Sequence, residues 1–391
     1  QYGYGSFYSP KPPHVDTRDL IITKGSEPGT NGKSDVLIQG NDGGVAKSTN
    51  GGRTWENLNG KGFFITQFNG LGVSQNDPDV IYAGTQDNNA FIRIDSTKKW
   101  RVGGWGDMGD CVVDMEDPGR AYCIQWPNGQ DNPLYTTNYG KKWHYLNKPY
   151  GDITSPNVYR PIQIHAATNQ LYLAYKNVYK MTQKPGTSRD ASFKSLGYPE
   201  KVDTIGPINV MQVAPNDTNT IYAGPGGPTA YHGGDQYEAA LFKTTDHGES
   251  WQDITNGMYG AVWHQINDIA VDPENSAIFW AVFGGFANKP GDERVYKTTD
   301  GGRTYSDYSN GLPNLPVNCI AVQAKPYQTI YVGTDAGVYF RNDKSDHWQC
   351  FNKGLPVTII TDLAINHNSG KLRVSTYGRG IWEADLVGTK K

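Results

Sequence analysis

Short apolar or alternating runs recur along this chain, each closed by a turn. Thr66–Val73, Ile266–Val271 and Asn318–Val322 are runs of this kind. A turn of the N-D-P, D-P or K-P type follows, at Asn76–Pro78, Asp117–Pro118, Asp272–Pro273 and Lys325–Pro326. A second run of the form I-Y-x-G comes next, at Ile81–Gly84, Ile221–Gly224 and Ile330–Gly333. Alternation with period two and turn residues between runs predict antiparallel hairpins. A third strand leads into a repeated phrase, and a fourth leaves from the aromatic that ends it.

The phrase is K-S-T-N-G-G-R-T-W at Lys47–Trp55, K-T-T-D-H-G-E-S-W at Lys243–Trp251 and K-T-T-D-G-G-R-T-Y at Lys297–Tyr305. A looser copy runs Tyr135–Trp143, and degraded copies end at Trp100 and Trp348. Its Asp or Asn can accept from backbone N–H groups in its own turn. Its Gly tolerates a positive φ. The closing aromatic buries a large apolar body between sheets. Asn50, Asp95, Asn138, Asp246, Asp300 and Asp343 are therefore expected to be structural, not catalytic. With Phe193 in a cryptic slot, the aromatics at 55, 100, 143, 193, 251, 305 and 348 are spaced by 43 to 58 residues. That is the length of a four-stranded propeller blade.

The motif resembles the Asp-box (BNR-like) of sialidase-like, sortilin-like and xyloglucanase-like β-propellers. The phrases G-N-D-G-G-V, G-T-Q-D-N-N and S-T-Y-G-R-G-I-W are similar to those of secreted bacterial proteins with such propellers. The resemblance covers essentially the whole chain. It implies an all-β fold, a single β-propeller of four-stranded antiparallel blades over residues 1–391. Eight units are counted, with seven as the alternative if Tyr2–Tyr8 is only an arm. The last unit, Thr361–Leu386, offers three strands. Residues 1–18 are read as an arm whose Tyr2–Tyr8 strand closes that unit outside Gly380–Leu386, in the same molecule or a neighbour. Residues 387–391 are a tail. The glycine-rich stretches Gly224–Ala239 and Gly284–Glu293 read as long loops between strands two and three.

Composition changes this picture little. Gly 47, Tyr 25 and Trp 10 suit a turn-rich, aromatic β protein. A net charge of −3 shows no nucleic-acid footprint, and no apolar run reaches membrane-spanning length. Cys111 and Cys123 flank the D-P-G turn symmetrically, so a hairpin would place them opposite each other and allow a disulfide. Cys319 and Cys350 are expected on inner and outer strands of one blade, too far apart to pair. An extracellular or cell-surface location follows mainly from the resemblance.

Chemistry is sought on the propeller face opposite the box turns. Asp42 and Asp87 occupy equivalent positions on adjacent units, and Asp107 and Asp110 could join them as a glycoside-hydrolase acid set. Turn capping is the competing reading for Asp42 and Asp87. Xyloglucanase-like enzymes hold their acids between two propellers, so that pair does not carry over. No sialidase arginine triad is legible; Tyr159–Arg160–Pro161 is an isolated echo. Trp105, Asp107, Trp126, Trp263, His264, Tyr377 and Arg379 are candidate ligand-binding residues on the same face, with His232 and Asp335 nearby. No cofactor is implied and no metal set has zinc spacing; loop carboxylates leave structural calcium open. The expected function is a non-catalytic binding or assembly module for a protein, a peptide or an extracellular glycan. A polysaccharide-binding protein or xyloglucanase-like hydrolase is the alternative.

Overall fold

The structure is a computed structural model. It describes the chain except residues 1–12, 25–34, 60–62, 97–98, 127–131, 148–160, 187–190, 199–207, 226–238, 259–264, 288–291, 325–327 and 389–391. The described residues form eight antiparallel sheets, and the molecule is an all-β propeller of eight blade units.

Blade 1 holds β1 (Thr17–Thr23), β2 (Val36–Asn41), β3 (Gly44–Ser48) and β4 (Glu56–Asn57). Blade 2 holds β5 (Phe68–Val73), β6 (Ile81–Thr85), β7 (Ala90–Arg93) and β8 (Trp100–Gly103). Blade 3 holds β9 (Asp107–Val113), β10 (Ala121–Trp126), β11 (Asn132–Thr136) and β12 (His144–Tyr145). Blade 4 holds β13 (Ile162–His165), β14 (Gln170–Ala174), β15 (Val178–Gln183) and β16 (Ser192–Ser195). Blade 5 holds β17 (Val210–Ala214), β18 (Asp217–Gly224), β19 (Phe242–Thr244) and β20 (Gln252–Asp253). Blade 6 holds β21 (Ile266–Val271), β22 (Phe279–Phe283), β23 (Val295–Thr298) and β24 (Ser306–Asp307). Blade 7 holds β25 (Val317–Gln323), β26 (Thr329–Thr334), β27 (Gly337–Asn342) and β28 (Gln349–Cys350). Among the described residues blade 8 holds three strands, β29 (Ile360–Asn366), β30 (Lys371–Thr376) and β31 (Ile381–Asp385).

The inner strands of blades 2 to 8 follow one another around an axis, and β29 packs against β5. Side chains lace neighbours together there. Asp268 accepts from Ile320 N–H at 2.9 Å, and Asn267 donates to Val317 O at 2.8 Å. At the closing junction Asp362 accepts from Leu71 N–H at 2.8 Å, and Gln75 donates to Ile365 O at 2.9 Å. Blade 1 stands beside this junction. Every residue of β1 is exposed, whereas β5 is almost wholly buried.

The box turns are built as their chemistry requires. In blade 6, Asp300 accepts from Thr304 N–H at 2.9 Å and from the Thr298 hydroxyl at 2.8 Å. The Thr298 hydroxyl in turn accepts from Gly302 N–H at 3.0 Å, with Gly302 at φ 89°. Asn50, Asn138 and Asp246 repeat this pattern with Ser48, Thr136 and Thr244. These donors, the Ser250 hydroxyl first, hold Asp246 down to about 2, and Thr304 holds Asp300 well below the carboxylate range. Asp95 and Asp343 belong to the degraded copies; beside Asp343 it is Asn342 that caps, accepting from Lys344 N–H at 3.1 Å.

The closing aromatics sit just before or at the start of the outer strands. Trp143 and Trp348 are buried, at 6% and 3% exposure. Trp55, Trp100, Phe193, Trp251 and Tyr305 are partly buried. Cys111 and Cys123 are bonded across β9 and β10, with Cα atoms 4.1 Å apart. Cys319 on β25 is buried and Cys350 on β28 is exposed, and both are free thiols.

Of the arm read over residues 1–18, Tyr2–Tyr8 lies outside the described residues, and Thr17 and Arg18 already belong to β1. The tail begins tied down: Val387 N–H donates to the Tyr331 hydroxyl at 2.7 Å.

Candidate functional site: a loop-end carboxylate group and an aromatic cleft

The β2–β3 and β6–β7 turns meet where blade 1 touches blade 2. Asn88 donates to Asp42 O at 2.9 Å, and His14 Nε2 lies 3.0 Å from Asp87 O. Asp87 and Asn89 adopt left-handed φ values of 59° and 69°, which Asp and Asn tolerate better than most residues. The β6–β7 turn is fixed from blade 3, because Asp107 accepts from Asp87 N–H at 2.7 Å and Gly106 O from Asn89 N–H at 3.1 Å.

The structure thus gathers Asp42, Asp87 and Asp107. Arg18 takes both oxygens of Asp42, at 2.6 and 2.8 Å. The Asp87 carboxyl lies close enough to Asp107 and Asp42 to feel their charge. Burial, then Asp107 and Asp42, push Asp87 up to about 6. A glycoside hydrolase needs its carboxyls about 5–5.5 Å apart for retention or about 6.5–9.5 Å for inversion. Here Asp42 is held by Arg18, and Asp107 is held by the Asp87 backbone N–H. Among the described residues no three His, Cys, Asp or Glu side chains are grouped to hold a metal ion.

Asp110 does not join this group. It lies further along β9 against Gly70 of β5, and Asp268 and Asp362 feel its charge. These three inner-strand acids face the axis. Burial raises them, Asp110 to about 6, Asp268 to about 7 and Asp362 well above the usual range.

The other candidates divide. Trp105 donates to the Tyr145 hydroxyl at 3.1 Å and packs edge-on against its ring. Asp335 accepts from Asn318 at 2.9 Å. Tyr377 is exposed and bridges to Gln67. His232, Trp263 and His264 lie outside the described residues, and so does the side chain of Trp126.

Arg379 borders a feature that loop reasoning missed, a cleft of about 920 Å³ between blade 1 and the junction of blades 8 and 2. Trp55, Phe63, Phe64, Phe91, Trp100 and Trp382 make its aromatic wall. His14, Asn41, Asn57 and Asn59 supply polar groups. His14 and Asn41 also join the cleft to the carboxylate group. Among the described residues its lining carries Arg379 and His14 and no carboxylate. The three-stranded last unit was the signal in the sequence, but the box aromatics Trp55 and Trp100 read as core until blade 1 is seen to stand beside that unit.

No family model matches the chain, and neither does any curated protein. Among solved structures it is similar to YCF48 from Cyanidioschyzon merolae, at 12% identity and a TM-score of 0.57, over 83% of this chain and 96% of that one. It is similar to YCF48 bound to D1 peptide at 10% identity and a TM-score of 0.56, covering 83% and 95%. An ancestral GH74 enzyme matches at 14% identity over 95% of this chain and 68% of the other, with a TM-score of 0.42. The two YCF48 likenesses show the propeller fold and nothing of the site.

Proposed function

We propose that this chain is a non-catalytic propeller module of the secreted or cell-surface kind, binding a protein or peptide segment at the aromatic cleft. The observation that carries this reading is the pairing of an open aromatic cleft with loop-end carboxylates already engaged by their own neighbours. A propeller of similar fold is bound to a peptide, which is the precedent. The Cys111–Cys123 bridge favours an oxidising compartment. The Asp-box likeness to sortilin-like propellers points the same way. A polysaccharide-directed hydrolase is the second reading, favoured by Asp87, which keeps its proton to about pH 6 as a general acid would. A turnover assay on xyloglucan, β-glucan and sialosides tests the choice. We expect no product; hydrolysis lost in Asp87→Asn without a change in melting temperature would overturn the proposal.

A further inference from the structure

Four blades share a device at the end of the fourth strand. In blade 7, Phe351 N–H donates to Val338 O at 2.8 Å, and Val338 N–H donates to Asn352 Oδ1 at 2.6 Å. In blade 6, Tyr308 and Ser309 do the same for Val295, at 2.9 and 3.0 Å. In blade 5 the pair is Ile254 and Thr255 on Leu241, and in blade 1 it is Leu58 and Asn59 on Val45. In these four blades one residue at the third strand is clasped by an apolar residue followed by Asn, Ser or Thr; in blade 4 Leu196 and the Gly197 carbonyl clasp Val178 instead.

A second regularity couples blades. Trp251 donates to Leu196 O at 3.1 Å, Tyr305 to Ile254 O at 2.7 Å and Trp348 to Tyr308 O at 2.6 Å. Each acceptor is the residue directly after the fourth strand of the preceding blade.

Blade 8 has the template and no fourth strand among the described residues. Thr376 donates to Gly380 O at 2.7 Å, as Thr334 donates to Gly337 O at 2.9 Å. Ile381 opposite Ser375 then matches Val338 opposite Gly333. Leu386 N–H donates to Gly370 O. Antiparallel alternation from that bond turns the N–H and C=O of Ile381 and Glu383 outward. Trp100, the next blade's aromatic, borders the cleft at this place.

From this we infer that the cleft takes an extended peptide from another polypeptide as a strand on β31. An apolar residue and a following Asn, Ser or Thr clasp Ile381, and a carboxylate faces Arg379. Strand addition of this kind draws affinity from main-chain bonds and specificity from side-chain pockets. Arg379, in a lining that carries no carboxylate among the described residues, supplies the complementarity for an acidic end. The inference rests on the binding-module reading and names its site and ligand class.

The test uses the full chain and a fluorescein-labelled, N-acetylated probe, Thr-Val-Thr-Val-Leu-Asn-Gly-Ser-Asp, with a free carboxyl end. Fluorescence anisotropy should show saturable binding, weakened about tenfold when Leu-Asn becomes Gly-Ala. Arg379→Gln should weaken this probe and leave unchanged an amidated probe with Asn in place of its last Asp. Amide exchange at Ile381 and Glu383 should slow on binding. Indifference to the Leu-Asn exchange, or protection at Thr17–Thr23 instead, would overturn the site. Ile381 and Glu383 amides already protected in the free chain would also overturn it, since another segment of the chain, residues 1–12 included, would hold the edge. The binding-module reading falls separately, on glycan turnover.

Discussion

Blades 1 and 7 are written to the same local design, yet one is buried and the other is not. Gly44 and Gly337 both have φ near 116°, at 115° and 117°, and a Cβ at either would collide with the side chain of Asn59 or Asn352. Leu58 and Phe351 close the two third strands in the same way. The inner strands differ. β25 sits between β21 and β29, laced by Asp268 and by Asn318, which donates to Ile360 O at 3.1 Å. β1 carries Leu20, Ile21 and Ile22 at 46%, 53% and 61% exposure. A blade's hydrogen bonding is therefore settled within about 40 residues of sequence, while its burial is a property of its neighbours.

Trp348→Ala should give the largest effect. Trp348 is buried, donates to Tyr308 O and meets the Tyr308 ring edge-on. Its loss should cost about 3–5 kcal/mol in urea unfolding. Trp55→Ala, in the matching slot of blade 1, should cost clearly less, because among the described residues Trp55 bonds within its own turn, to Gly52 O at 3.0 Å. Equal costs would break the distinction between a laced and an unlaced blade.

The disulfide comes next. It closes a loop with a sequence separation of 12 inside blade 3. A paired Cys111→Ser and Cys123→Ser variant should lose about 3 kcal/mol on the chain-entropy account. Non-reducing mass mapping should find the native pair, with Cys319 and Cys350 unbridged.

The axial acids set the pH dependence of the laced blades. Burial raises Asp110 to about 6 and Asp268 to about 7 in the folded state, above their unfolded value near 3.9. The folded chain then binds more protons than the unfolded chain between roughly pH 4 and 7. Stability should fall as pH rises through that window. Asp110→Asn should flatten the slope at its lower end and raise the melting temperature at pH 8. A melting temperature that climbs with pH would contradict the assignment.

Much of this was legible because it is local. Thr298, Asp300, Gly302 and Tyr305 carry their own turn, so the blade period and the box geometry could be read from the chain. Cys111 and Cys123 were legible for the same reason, being symmetric about one hairpin. Asp42 and Asp87 could be placed near each other from their equivalent positions, but Arg18 was invisible as the partner of Asp42, since it comes from a different strand 24 residues away. Asp110 was misplaced because three residues along β9 separate the loop end from the axis. The vacant edge of the last unit was legible too, but the cleft was not, because it forms only where blade 1 stands beside that edge.

The smallest effect should come from the loop end, and it sharpens the comparison most. Asp87 meets the blade 1 side through its C=O, which faces His14, while its N–H donates to Asp107 of blade 3. Its carboxyl adds repulsion toward Asp107 and Asp42, which is part of why it titrates near 6. Asn keeps the side-chain shape, accepts the left-handed backbone and removes the charge. Asp87→Asn should therefore leave the melting temperature at pH 5 unchanged and raise it slightly at pH 8, where the native carboxyl is ionised. Asp87→Ala should cost about 1 kcal/mol or somewhat more, the strain of a left-handed φ without a polar side chain. A drop in stability at pH 8 for Asp87→Asn would mean that the ionised carboxylate itself holds blade 1 in place, and the contact between the two regions would then be ionic.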